Sequence, residues 1–135
     1  MTERSLVGTS DLDALAVINE YLHDAKYSLD DVAYDETKRS VSIPFHWDPN
    51  LRGKSVFRRR RQNASDYIWR DRIFRDLTVF NVDGIELDDP AGLIEHSYSR
   101  LSYDDGTLTL LSNFPGRIQM MVSKVEVKLV ERDLE

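Results

Sequence analysis

The first strong pattern in the chain is an apolar stripe at helical spacing near the N-terminus. Its members are Leu12, Leu15, Ile18, Leu22 and Ala25. Because residues three or four apart share one face of an α-helix, this spacing predicts an amphipathic helix from about residue 11 to residue 23 or 25. Ser10 stands just before the pattern and is a favourable N-cap residue.

Beyond residue 30 the apolar positions recur with a period of two, which is typical of half-buried strands. Val32 and Tyr34 alternate before a polar turn at 35–38. A second alternating run follows, formed by Val41, Ile43, Phe45 and Trp47. Pro44 lies inside this run and has no amide hydrogen to donate, so the sequence predicts an edge strand or a bulge there.

The middle of the chain predicts one long strand over residues 72–82, with apolar residues on both faces and therefore buried on both sides. Asp83-Gly84 is a tight-turn pair, after which Ile85 and Leu87 open a short strand. Residues 88–90 predict a further turn or helix start, with Asp89 as the cap.

The last third has the clearest strand pattern. Tyr98, Leu101 and Tyr103 lead into a hairpin turn at 104–106, and two further alternating runs follow a second turn at 113–116. The fold class predicted is α+β. One N-terminal amphipathic helix packs on a mostly antiparallel β-sheet or two-layer β-sandwich of about seven strands, with a C-terminal β-meander.

Composition sets further limits. A chain of 135 residues is expected to form a single domain over 1–135. It has no cysteine, which excludes disulfides, thiolate metal ligands and a cysteine nucleophile. No apolar run reaches the ~20 residues of a membrane helix. We therefore expect a soluble cytoplasmic protein without a membrane partner.

The charge distribution is more informative than the net charge of −6. Residues 52–75 hold nine basic and two acidic side chains, a net charge of +7 in an acidic chain. Within it, an irregular excursion at about 52–70 interleaves arginines with aromatic residues. The candidate binding residues of this basic patch are Arg58, Arg59, Arg60, Arg61, Tyr67, Trp69, Arg70 and Arg72.

Two interpretations of the basic patch stay open. Guanidinium groups pair with phosphates and aromatic rings stack on unpaired bases, so the patch suits single-stranded nucleic acid or another polyanion. Alternatively, the arginines pair with acids of the chain or of a second subunit, or form a solvated loop. No helix-turn-helix or RNA-recognition motif accompanies the patch.

The remaining candidate chemistry is sparse. His23, His46 and His96 do not have the spacing of a zinc motif, and the paired aspartates occupy apparent turns. We predict no catalytic residue, no metal site and no cofactor. The leading hypothesis is a non-enzymatic protein-interaction or self-associating domain. The alternatives are nucleic-acid or polyanion binding through the basic patch, and a small metal-dependent hydrolase that uses the histidines.

Overall fold

The computed structural model describes residues 2–47, 74–113 and 116–133. Its helical elements are a 3₁₀ turn at Leu12–Ala14, the helix α1 at Leu15–Tyr21 and a second 3₁₀ turn at Leu29–Asp31. The strands, in chain order, are β1 (Thr2–Ser10), β2 (Lys26–Ser28), β3 (Ala33–Asp35), β4 (Ser40–His46), β5 (Phe74–Val79), β6 (Val82–Asp88), β7 (Glu95–Asp104), β8 (Thr107–Ser112), β9 (Arg117–Val122) and β10 (Val127–Asp133).

All described strand pairs are antiparallel, and the strand order is β1-β10-β5-β4-β2-β7-β8-β9-β6, with β3 paired to β4. The predicted mostly antiparallel sheet and N-terminal helix are confirmed. The predicted number of about seven strands is wrong, since the described residues form ten. The meander continues from β7 through β8 to β9, whereas β10 pairs with β1 and β5.

The helix is shorter than its apolar stripe suggests. Asp11, rather than Ser10, is the cap of the first turn, and its carboxylate accepts the amide of Asp13 at 3.1 Å. Leu12 is 48% exposed, so it lies off the buried face. The helix ends before Asp24, whose φ of 64° is the left-handed conformation common just beyond a helix C-terminus.

The inner face of the sheet surrounds one hydrophobic core. Buried positions alternate with exposed ones along most strands, as in β4 and β9. The largest fully buried side chains are Ile18, Leu22, Tyr27, Ile43, Phe45, Leu77, Leu101, Leu108, Leu110, Ile118, Met120 and Leu129. These belong to one cluster that takes residues from both halves of the strand order, so the sheet must curve until its inner faces meet.

Strand β7 joins the two halves of the sheet. Its first residues pair with β2, and those from Tyr98 onward pair with β8, with a register shift between Tyr98 and Arg100. The side chain of Asn19 in α1 binds the backbone of β7 next to this shift. Its Oδ1 accepts the Leu101 amide at 2.8 Å and its Nδ2 donates to the Leu101 carbonyl at 3.2 Å. Tyr98 also donates its hydroxyl to Asn19.

The predicted long strand over 72–82 is wrong in its described part. Strand β5 ends at Val79 and β6 begins at Val82, with Asn81 between them at a φ of 60°. Asparagine tolerates this left-handed conformation better than most residues, so it allows the chain to turn. The predicted tight turn at Asp83-Gly84 is also wrong, because both residues lie inside β6.

Pro44 is not on an edge strand, contrary to one of its two predicted settings. β4 pairs with β5 along one side. On its other side β4 pairs with β3 at Ser40–Ser42 and with β2 only at His46. Pro44 falls between these two short partners, where the described ladder requires no donor. The missing amide hydrogen is thus tolerated in an internal strand.

Candidate functional site

Every predicted residue of the basic patch lies outside the described residues. This holds for Arg58, Arg59, Arg60, Arg61, Tyr67, Trp69, Arg70 and Arg72. What the structure does describe is the pair of strands that this segment connects. β4 ends at His46, β5 begins at Phe74, and these two residues are register partners. The described strands on either side of this segment are therefore neighbours in the sheet.

One basic residue of the 52–75 window is described, and it is engaged within the protein. Arg75 binds Glu131 with its Nε at 2.9 Å and donates to the Tyr21 carbonyl at 2.6 Å. Its guanidinium carbon lies 4.8 Å from the centre of the Trp47 ring and 5.3 Å from that of Tyr21. The contacts of Arg75 therefore fit the interpretation that arginines of this window pair with acids of the chain, here Glu131, better than they fit ligand binding.

The three histidines occupy different environments. The side chain of His23 is 79% exposed and lies 3.2 Å from Asp24. In β2, Lys26 pairs with His46 on one side and with Ser97 on the other, and the next residue, Tyr27, pairs with His96. Because side chains of successive residues point to opposite faces of a sheet, His46 and His96 lie on opposite faces. Within the described ranges, no group of three or more His, Asp or Glu residues could hold a metal ion.

His96 is buried against the core and is held by Asp89. Its Nε2 lies 3.1 Å from the Asp89 carboxylate, which can only accept, so Nε2 carries the proton. Its ring stacks on Tyr27 with centroids 5.9 Å apart. The Tyr27 hydroxyl is 2.5 Å from Ser112 Oγ. The ring is 1% exposed, which closes it to substrate and makes it a packing residue.

Asp89 also fixes the loop that follows β6. Its carboxylate accepts the amides of Leu93 at 3.0 Å and Ile94 at 2.9 Å. The Ile94 amide is the largest of the influences that lower the pKa of Asp89, joined by the Leu93 amide and His96, while desolvation opposes them. Asp89 was predicted as a cap, and it does cap backbone amides, although in a turn rather than a helix.

Among the described residues, the surface feature with the clearest binding potential is the outer side of β6. In this part of the chain β6 pairs only with β9 and ends the strand order. Val82 shows which backbone groups face away from β9: its amide donates to the Arg39 carbonyl at 2.8 Å and its carbonyl accepts from Tyr34 at 3.2 Å. The β6 ladder therefore leaves one set of backbone groups on its outer side.

Register identifies the members of that set. Val82 is opposite Val122, and after a one-residue shift Ile85 is opposite Met120 and Leu87 is opposite Ile118. Because antiparallel pairs alternate in type, Ile85 and Leu87 direct their N–H and C=O groups away from β9, as Val82 does. No described residue hydrogen-bonds to these four groups. We call them the open edge of β6.

An open recess of about 600 Å³ adjoins this edge. It separates β6 from β3, whose one partner among the described strands is β4. Its lining residues are Tyr34, Glu36, Arg39, Val82, Asp83, Gly84 and Ile85. The recess is closed at one end by Arg39, which binds Asp83 at 2.6 Å and holds the Val82 amide. We call it the β3–β6 recess.

Apolar side chains extend the surface beyond the recess. Leu87 is 46% exposed, and Leu93 and Ile94 are each 45% exposed. The latter two are anchored through Asp89, two residues after Leu87. Ile94 has a φ of 62°, an uncommon conformation for a β-branched residue and one that must be maintained by its surroundings. The loop that follows β6 thus keeps two apolar side chains exposed.

The charge beside the open edge is negative. Glu86 and Asp88 lie on the face of β6 opposite to Leu87, and Asp88 is 3.5 Å from Arg117. Glu86 forms no ion pair with a described residue. Across the recess stands Glu36. A strand approaching the edge would therefore meet an apolar face and an acidic face.

The sequence pattern contained part of this site. Ile85 and Leu87 were predicted to open a strand, and their alternation with Glu86 and Asp88 is visible in the sequence. That β6 is an end strand was not predictable, since this depends on pairing with β9, some thirty residues later in the chain. The unusual backbone of Ile94 has no local signal either, because isoleucine rarely adopts it.

Comparisons of the chain with family models, with curated proteins and with solved structures gave no match. Among the described residues, none of the helices is long and apolar enough to cross a membrane.

Proposed function

We propose that this protein is a non-enzymatic interaction domain that binds a protein partner, or another copy of itself, at the open edge of β6. The observation that carries this proposal is the coincidence of free backbone groups and an exposed apolar side chain at Ile85 and Leu87. Sheet edges of this kind bind extended segments by adding a strand, with main-chain hydrogen bonds supplying affinity.

The contacts of the other polar clusters support this assignment over catalysis. His96 is sealed in the core, Ser112 is paired to Tyr27, and Arg75 is held between Glu131 and two aromatic rings. None of these groups presents a reactive atom to an open cavity. The open edge of β6, in contrast, is exposed, and it offers backbone hydrogen bonds and apolar contacts to a binding partner.

A site-specific cross-link tests the proposal. A benzophenone amino acid at position 87 should form a protein adduct in the native cell or in concentrated pure protein. Position 17 is the matched control, because Val17 is 45% exposed on α1 and Leu87 is 46% exposed. An adduct at 87 but not at 17 is expected. Equal adducts at both positions, or none at 87 in either setting, would contradict the proposal.

Single-stranded nucleic-acid or polyanion binding through the basic patch is a second proposal. It is favoured by the +7 charge of residues 52–75 in a chain of net charge −6. If Arg58–Arg61 neutralise four phosphates, the logarithm of the binding constant should fall with the logarithm of salt with a slope of about −3. Retardation of an oligonucleotide that persists after all four are replaced by glutamine would argue against it.

A further inference from the structure

The alternation of side chains along β6 specifies which kind of partner the open edge would accept. Ile85 and Leu87 lie on the core face of the sheet, opposite Met120 and Ile118, which are buried. Glu86 lies on the other face, opposite Gln119. Side chains of directly paired residues in neighbouring strands are about 4.5–5.5 Å apart at Cβ. An added strand would therefore place alternate residues beside leucine and beside glutamate.

We infer that the open edge of β6 binds an extended segment whose residues alternate between apolar and basic. This inference rests on the proposed function and adds the chemistry of the partner. The apolar residues of such a segment would cover Leu87, and its basic residues would meet Glu86 and Asp88. The backbone of the segment would pair with the N–H and C=O groups of Ile85 and Leu87.

Charge complementarity selects this partner over a second β6. Two β6 edges joined antiparallel would bring acidic residues of the 83–88 segment into apposition, and like charges directly opposite are destabilising. A basic segment turns the same acids into attractive contacts. Glu86 is important because no described cation neutralises it, whereas Asp83 is bound by Arg39 and Asp88 is near Arg117.

The surroundings leave room for such a segment. The β3–β6 recess lies beside Ile85 and has a volume of about 600 Å³. The Tyr34 hydroxyl bridges the recess at its Val82 end, so an added strand would pair beyond that point, at Ile85 and Leu87. No described residue therefore covers the edge along Ile85 and Leu87.

Synthetic peptides test the inference on the full chain. The probe is a fluorescent peptide of alternating valine and lysine, about as long as β6, and the readout is fluorescence anisotropy. Two control peptides match it: one with the same residues in separate valine and lysine blocks, and one that alternates valine and glutamate. We expect the alternating basic peptide to bind at least about tenfold more tightly than either control, which corresponds to 1.4 kcal/mol.

Protein variants locate the binding. Ile85→Pro removes an amide hydrogen that faces away from β9, so it should weaken the peptide without breaking the β6–β9 ladder. Glu86→Lys should weaken the basic peptide and favour the glutamate peptide. Val17→Lys is the surface control and should change neither affinity. Circular dichroism and the urea midpoint identify any variant that has lost its fold. If Glu86→Lys is such a variant, Glu86→Gln replaces it.

The outcomes separate the inference from the proposed function. Equal binding of block and alternating peptides would overturn the inference, as would binding that Ile85→Pro and both Glu86 variants leave unchanged. If no peptide binds while position 87 still forms a specific adduct, the inference fails and the proposed function stands. A peptide copying residues 55–62 that binds more tightly than the alternating peptide would also overturn it, and would indicate the chain's own sequence as the source of the occupant.

Discussion

At the residue scale, the structure gives clear roles to a few side chains whose identity is restricted by close contact. Gly116 is one of them. A Cβ atom at this position would lie 2.4 Å from Cε1 of the buried His96 ring. The ring cannot easily move, because Asp89 holds its Nε2 and Tyr27 stacks on its face. In the sequence, the predicted turn is a sufficient reason for a glycine at position 116. The structure adds a second reason, which is the close approach of this residue to His96.

Gly116→Ala should therefore destabilise the fold. The added methyl group overpacks the site around His96, which costs about 1–3 kcal/mol. Urea denaturation measures the loss. Gly8→Ala is the matched control, since a Cβ at Gly8 meets no atom within 4 Å. A midpoint for Gly116→Ala that equals that of Gly8→Ala would show that the ring is not confined as described.

Asp89 predicts a pH dependence at the same place. Its pKa is lowered in the folded state, first by the hydrogen bond from the Ile94 amide. The folded protein therefore binds fewer protons at this group than the unfolded chain does. The resulting stability is present above the unfolded aspartate pKa of about 3.9, and is lost as the pH falls through the lower folded pKa.

Asp89→Asn should consequently cost stability at pH 7 and much less at pH 2. Urea midpoints of the wild type and the variant at the two pH values give the comparison. Asp104→Asn is the control, because the Asp104 side chain is exposed and forms no ion pair with a described residue. A difference between wild type and Asp89→Asn that is the same at both pH values would contradict the role assigned to the carboxylate.

At the scale of elements, local signals predicted strands and turns well where local chemistry determines them. The hairpin at 104–106 is confirmed, because Asp105 and Gly106 take the positive φ values of 44° and 82° that such a turn requires. β1 was not predicted, since Thr2–Ser10 lacks an alternating apolar pattern. It forms by pairing with β10, more than a hundred residues away. The contact of α1 with β7 through Asn19 is equally non-local.

Asn19→Ala tests how α1 is attached to the sheet. The change leaves the N–H and C=O groups of Leu101 and the hydroxyl of Tyr98 without the partner they have in the structure. Leaving such partly buried groups unsatisfied should cost about 2–3 kcal/mol. Val17→Ala, on the exposed side of the same helix, should change the urea midpoint little. Equal midpoints for the two variants would exclude Asn19 as the main attachment.

At the scale of the whole molecule, the sequence predicted the class of fold but not which strands end the sheet. Among the described strands, β1 and β6 hold those positions, and the position of β6 follows from its pairing with β9, which local sequence patterns do not report. The charge split visible in the sequence still motivates the proposal of nucleic-acid or polyanion binding. The candidate binding residues of the basic patch, between 58 and 72, lie outside the described ranges. The described acidic strand β6 supplies a second surface, one that the net charge alone did not reveal.

Residue-resolved amide hydrogen exchange by NMR tests the open edge of β6 most directly. In the free protein the amides of Ile85 and Leu87 should exchange quickly, while that of Glu86, which the register directs toward β9, should exchange slowly. Saturating alternating valine–lysine peptide should slow exchange at Ile85 and Leu87 and leave Glu86 nearly unchanged. Slow exchange at all three amides in the free protein, or no added protection with bound peptide, would contradict a strand-binding edge at β6.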